Sequence, residues 1–476
     1  MMGFGLTLLA IVATFLATRR GLGHGLGALL LFGYFYGILR ARFPDGLSHF
    51  IFDGAVVGLY AALLSSRGRP MRVGHDGQVL RLWLKVLMVW PLCTLLLSPF
   101  FDSQHFFIQV VGLRVAIFLL PLMVIGARLT EEELDSLGEW LLWLNLAAFC
   151  FALLELWLGV EPFFPRSAVT TLLYMSSDVG PEGALRIPSI FNTGHAYGGT
   201  MLVSLPLMVR RWQRVRSGRF LTGLALVGSV LGLFICAARS PVVQLVAIGA
   251  LLLLVTRLSM KLLGGMTALA VSVGAVVLYN PRFQRFLTLE DTDYVTTRVS
   301  WSVNTSLLDV ITTYPLGNGL GSAAGTSIPF FLMGLARPQY GLENEFARIA
   351  MEQGIIGLLL WVLFLGWLFT RLPPRRRGGS LVAERMMWAT VVVLWGTAVI
   401  GTGLLSSIPG TALLLLWMGA VVGTRRPASV TRRGAVKATM RALPPREEVR
   451  GGTGAGASGP ERGGEADGGV VAAGDR

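Results

Sequence analysis

Apolar residues run together along most of this chain in long stretches, each broken by a short polar cluster. A helix needs about 20 mostly apolar residues to cross the ~30 Å hydrocarbon core of a bilayer. Stretches of that kind lie near 3–18, 24–39, 48–65, 82–98, 107–127, 139–159, 194–209, 219–237, 240–256, 260–279, 350–370, 385–405 and 408–423. The pattern predicts an all-α integral membrane fold with about 12–13 transmembrane helices, closely spaced pairs blurring the count by about one. The strict alternation of barrel strands is absent, and only a helix satisfies its own backbone in lipid.

The polar gaps differ in character. Arg210, Arg211, Arg214, Arg216 and Arg219 crowd one gap, Arg371, Arg375, Arg376 and Arg377 another, and Arg67, Arg69, Arg72 and Arg81 a third. Such clusters mark cytoplasmic loops, which places 19–23, 66–81, 210–219, 257–261 and 371–384 inside. The gap at 40–47 is assigned outside although it carries Arg40 and Arg42, a conflict that keeps a twelve-helix count open. Two long gaps, 160–193 and 280–349, fall outside, and long ordered loops are usually functional. In the second, Val299, Val303, Leu307, Val310 and Ile311 share one helical face over 295–311, the pattern of an amphipathic interfacial helix.

Arg19 and Arg20 follow the first apolar run instead of preceding it, so that run is expected to stay as a helix with its N-terminus outside. After residue 423 the sequence turns to Gly, Ala, Arg and Glu. A membrane domain over 1–423 and a disordered cytoplasmic tail over 424–476 are expected.

Composition agrees with lipid burial: 53% of the 476 residues are hydrophobic and 14% charged, against about 25% charged in a soluble domain. The net charge of +14 does not point to nucleic acid, because the cations sit in loops between apolar segments. Cys93, Cys150 and Cys236 lie within apolar stretches without metal-ligand spacing and read as small hydrophobes. The five histidines show no ligand spacing either, and neither a metal site nor a cofactor is expected.

Four groups carry candidate chemistry. Arg186, Phe191, Asn192, His195, Gly198 and Gly199 sit where the first outer loop enters a helix. There Arg186 is either a phosphate ligand or a snorkelling cation. Arg239, in the short turn from Cys236 to Pro241, is costly to keep between apolar helices and calls for a partner, either a ligand phosphate or a headgroup. Arg298 opens the amphipathic segment, which Pro315, Gly317, Gly319 and Gly321 follow. Those glycines suit a turn with close backbone packing, since no strand precedes them. Last come Glu343, Asn344, Glu345, Arg348 and Glu352. Glu345, Arg348 and Glu352 share one helical face, which fits either a self-neutralised ion network or a site. Glu343 precedes them without an in-register basic residue and is the candidate general base. Thr130 with Glu131, Glu132 and Glu133 reads as a capping box.

Taken together, these groups resemble the O-antigen ligase/polymerase superfamily of bacterial membrane glycosyltransferases over roughly residues 180–370. The resemblance rests on Arg186 with Phe191 and Asn192, the Arg239 turn, Arg298, Pro315 with Gly317 and Gly319, and then Asn344, Phe346, Glu352, Gly354 and Gly357. Two departures stand out: Ala238-Arg239-Ser240 replaces the frequent Ser-Arg, and Glu343 occupies the place of a histidine in the lipopolysaccharide ligases. The second departure favours the polymerase branch. The resemblance implies metal-independent transfer of a polyprenyl-diphosphate-linked oligosaccharide onto an acceptor glycan at the outer leaflet of the bacterial inner membrane. Arg186, Arg239 and Arg298 would then bind the diphosphate and Glu343 would act as base. Asn192, His195, Asn344, Glu345, Arg348 and Glu352 would support substrate or structure. Membrane lipid, a chain-length regulator and a flippase are the implied partners. A ligase acting on lipid A-core is the nearest alternative. A secondary transporter or flippase also fits many helices, though polar residues here crowd the outer face and not the midplane, where transporters bind.

Overall fold

The structure is a computed structural model that describes residues 2–66, 74–100, 104–175, 185–215, 218–256, 264, 292–323, 325–337, 341–373, 381–401 and 403–423. Among these residues all regular elements are helical. The helices are α1 (Met2–Arg20), α2 (Leu22–Tyr34), α3 (Tyr36–Arg42), α4 (Ile51–Ser65), α5 (His75–Leu97), α6 (Phe106–Ile117), α7 (Leu122–Gly126), α8 (Glu131–Leu158) and α9 (Thr171–Met175). They continue with α10 (Gly194–Arg214), α11 (Arg219–Ile235), α12 (Arg239–Val255), α13 (Thr292–Ser300), α14 (Asp309–Thr313), α15 (Glu345–Phe369), α16 (Leu381–Thr397) and α17 (Gly410–Gly423).

Every apolar stretch predicted from the sequence coincides with a helix except 260–279, which lies almost wholly outside the described residues. Fewer of these helices are long enough to span. Seven of the described helical segments are long and apolar enough to cross a membrane, and an eighth is added if α2 and α3, bent by 46°, form one span. Arg219–Ile235, Arg239–Val255 and Gly410–Gly423 are apolar but shorter. A 17-residue helix is only about 25 Å long, less than the ~30 Å core. The chain is a multi-pass membrane protein by these helices. The 424–476 tail lies outside the described residues.

The helices pack through small residues and a buried polar network. A Cβ on Gly419 of α17 would stand 1.8 Å from the Met123 carbonyl oxygen, so only glycine lets α17 meet α7 this closely. In the interior Tyr34 donates to Asn145 Oδ1 at 2.7 Å, and Asn145 Nδ2 donates to Ser204 Oγ at 2.8 Å and Ser229 Oγ at 2.9 Å. One amide thereby links α2, α8, α10 and α11.

The arginine-rich gaps meet their partners near the helix ends. Arg19 donates to Ser65, Arg371 pairs with Asp76 at 3.1 Å, and Arg385 donates to the Val255 carbonyl. Buried Arg210 pairs with Glu131 and Asp135 at the start of α8, where the expected capping box of Thr130 and Glu133 is present. The long gaps pack on a different set of ends. Ile38 N–H donates to the Ile190 carbonyl at 3.2 Å, Arg42 donates to the Pro162 carbonyl, and Arg337 N–H donates to Gln104 Oε1 at 2.9 Å.

The segment expected to be an amphipathic helix is helical, with a π-helical stretch, Trp301–Leu308, between α13 and α14. Its apolar face does not all lie free for a bilayer. Val310, with Leu307 and Ile311, packs on Ala350, Met351 and Leu358 of α15, which bury that part of the face against protein. Val299, one end of the same face, is exposed.

Candidate functional site

The approach to α10 is strained and pinned. Ser189 has φ 53°, a left-handed conformation uncommon outside glycine. Its N–H donates to Glu155 Oε2 at 2.7 Å and its hydroxyl to the Ala148 carbonyl at 2.6 Å, so α8 holds the turn in place. Among the described residues only one other non-glycine residue has positive φ, Ala237 at 52°, two positions before Arg239. Strain of this kind persists where surrounding structure over-determines it, and it clusters at functional sites.

The two strained turns meet at the first residue of α10. A Cβ on Gly194 would lie 3.0 Å from the Cys236 carbonyl oxygen and 3.2 Å from Arg186 Cβ. Thr193 caps the helix, its hydroxyl accepting Ala196 N–H at 3.2 Å. Arg186 Nη1 lies 2.6 Å from His195 Nε2 in the first turn. Burial, together with the like charge of Arg239, lowers the Arg186 guanidinium from its usual range against the opposing effect of Cys236. Arg186 thus sits at a helix N-terminus, whose partial positive charge also favours an anion, and the turn that carries Arg239 packs on the same helix end.

The second cluster opens α15. Asn344 caps the helix by accepting Phe346 and Ala347 N–H at 2.9 and 3.1 Å, and its Nδ2 donates to the Ser302 carbonyl at 3.2 Å. Arg348 donates to Glu345 Oε1 at 2.5 and 3.0 Å and to Glu352 Oε2 at 3.1 Å. Glu345 and Glu352 are each 0% exposed and Arg348 6%. One guanidinium thus faces two carboxylates, an ion network that one cation does not fully neutralise, and Glu352 Oε1 is left without a hydrogen-bond partner. Glu345 Oε2 also accepts Gly403 N–H at 2.9 Å, tying α15 to the segment before α17. One turn further on the glycine-rich segment enters the helix. Gly354 has φ 69° and breaks α15, Asn318 N–H donates to Met351 O at 2.6 Å, and Ile355 N–H donates to Pro315 O at 2.9 Å. Gly317, Gly319 and Gly321 all have positive φ, as a close-packed turn requires.

Beside Asn192 lies a cleft lined by Tyr36, Arg40, His49, Asp53, Arg114, Asn192, Ser327 and Ser406, among others. Arg114 forms a two-point pair with Asp53, Nε to Oδ1 at 2.8 Å and Nη2 to Oδ2 at 2.5 Å. The bend between α2 and α3, with the Ile38–Ile190 bond, sets Arg40 beside the Asn192 segment. Ser406 follows the Gly403 that Glu345 holds.

The structure therefore brings Arg186, His195 and Arg239 together, with Asn192 turned to the cleft. It gathers Asn344, Glu345, Arg348 and Glu352 elsewhere, as a buried cluster. Glu343 stands just before α15, half-buried, outside the cleft lining and engaged in an interaction of its own. The absence of a basic partner within its helix did not describe its surroundings. Arg298 belongs to α13, and its side chain lies outside the described residues. Sequence reasoning missed Arg40, His49, Asp53 and Arg114 as cleft residues. The signal was present in Arg40, an arginine on the side where the orientation rule expects few, and in Arg114, a cation inside an apolar run. Compared with known protein families and with curated proteins, the chain matches none.

Proposed function

We propose that this chain is a membrane glycosyltransferase of the polysaccharide-polymerase kind, transferring a polyprenyl-diphosphate-linked oligosaccharide onto an acceptor glycan. The observation that carries this reading is the convergence of Arg186 and Arg239 on the capped N-terminus of α10. A diphosphate leaving group gathers negative charge as the acceptor hydroxyl attacks the anomeric carbon. Cations and helix N–H groups fixed beforehand stabilise that charge without reorganising. The surrounding apolar helices suit the polyprenyl chain. With arginine-rich loops on the cytoplasmic side, the cluster faces the outside of the bacterial inner membrane. In this scheme Glu343 takes the acceptor hydroxyl proton, Arg298 adds to the diphosphate site, and the α15 network holds the 403–406 segment in register.

The test is the length distribution of lipid-linked and surface glycan in a strain lacking the protein, complemented with variants at normal abundance. Polymerase function gives single repeat units on the carrier in the deletion strain. Arg186→Ala, Arg239→Ala and Glu343→Gln should then fail to restore long chains. Long chains retained on the carrier but missing from the lipid core would mean a ligase. Unchanged glycans, or full-length chains from the Arg186→Ala and Arg239→Ala variants, would overturn the reading.

A further inference from the structure

The cleft around Arg40 is separate from the Arg186–Arg239 cluster in its lining, sharing with that region only the Asn192 segment. Its walls hold polar atoms that folding leaves unsatisfied. Arg40 Nε, His49 Nδ1 and Asn192 Oδ1 are all buried and have no hydrogen-bond partner. His49 is 3% exposed, and its Nδ1 stands without a partner. A buried polar atom without a partner costs about 1–3 kcal/mol, and three such atoms belong to residues that line this one cleft.

The chemistry of the walls narrows what that ligand is. Arg114 is already neutralised by Asp53 across two short bonds, and His49 is a mixed donor-acceptor group. Arg40 stacks over the Tyr36 ring with its Cζ 5.6 Å from the centroid. With the Asp53–Arg114 pair cancelled, the lining carries one net positive charge, together with the amide of Asn192 and the hydroxyl of Ser406. Mixed donors and acceptors beside an aromatic ring suit a polyhydroxylated ring, and one cation suits one anionic substituent.

We infer that this cleft binds a sugar carrying a single anionic group, a carboxylate or a phosphate, with Arg40 on the anion and His49 and Asn192 on the hydroxyls. As a subsite of a polymerase for glycan units away from the hydroxyl that Glu343 deprotonates, the inference rests on the proposed function, whereas the binding event itself does not require turnover.

The test uses the full chain purified into lipid nanodiscs and titrated calorimetrically with tetragalacturonate, a phosphorylated maltotetraose and neutral maltotetraose. At least one acidic tetrasaccharide should bind about tenfold more tightly than the neutral one, and whichever binds better identifies the anionic group. Arg40→Gln should remove that preference, as should Asn192→Asp, which places a carboxylate in the cleft. Arg186→Ala should leave it in place. Equal binding of acidic and neutral sugars, a preference that survives Arg40→Gln and Asn192→Asp, or no saturable binding would overturn the inference. Acidic binding in a protein whose deletion leaves glycan length unchanged would keep this site and discard the polymerase reading.

Discussion

Arg348 is the most informative single position for the architecture of the site end. Its guanidinium is the shared partner of two carboxylates with no measurable exposure. Arg348→Leu keeps an apolar stem in place but leaves Glu345 and Glu352 buried without their cation. Removing one member of a buried ionic group costs about 3–5 kcal/mol. The loss also loosens the Glu345–Gly403 bond, so damage should spread to the 403–406 wall of the cleft. At roughly 2 °C per kcal/mol for a large chain, the melting midpoint should fall by about 6–10 °C. Fluorescence-detected size exclusion after graded heating, in detergent or nanodiscs, measures it. The triple variant Glu345→Gln, Arg348→Met, Glu352→Gln removes all the charges together and should recover most of the loss, because the penalty lies in the uncompensated carboxylates and not in the missing pair. An Arg348→Leu midpoint within about 1 °C of the parent, or a triple variant less stable than the single one, would refute a buried ionic network held by Arg348.

Gly354→Ala combines a left-handed φ with a Cβ placed 2.6 Å from the Leu316 carbonyl carbon. It should destabilise the chain by more than the ~1–3 kcal/mol of backbone strain alone, read as reduced monodisperse yield and a lower midpoint. Asn145→Leu should lose about 1–2 kcal/mol, chiefly by orphaning the Tyr34 hydroxyl, since Ser204 and Ser229 each keep a bond to a helix carbonyl; a neutral midpoint would contradict this. Burial tends to raise the Asp45 carboxyl, but the N–H groups of Gly3 and Ser48, at 2.7 and 2.8 Å, hold it below the usual carboxylate range. A depressed folded value means its contribution is full above the unfolded pKa near ~3.9 and fades as pH falls through the folded one. The midpoint gap between parent and Asp45→Ala should therefore be constant from neutral pH to about 5 and narrow below about 4.

The sequence by itself determined the features governed by local periodicity. Apolar runs long enough for lipid announced the helices, and Thr130 with Glu133 announced the start of α8. The turn glycines 317, 319 and 321 declared themselves because few other residues tolerate their φ. Spacing on one helix face also brought Glu345, Arg348 and Glu352 together, but it left open whether they form a network or a reaction site. The structure shows them bonded to one another and buried. Helices such as Arg219–Ile235, at 17 residues, sit at the short end of what spans a bilayer, because hydropathy marks apolarity more sharply than the length of the helix that forms. The bend after Tyr34, the pinning of Ser189 by Glu155, and the meeting of Arg186 with Arg239 needed the tertiary structure. So did the cleft, where Asp53 and Arg114 pair across 61 positions and Arg40 of α3 shares a wall with Asn192 from the turn before α10. Contacts between helices depend on rotation, tilt and the gaps that small residues permit, and a one-dimensional pattern carries none of these. For the same reason Arg40 looked misplaced in the sequence and became a wall of the cleft in the fold.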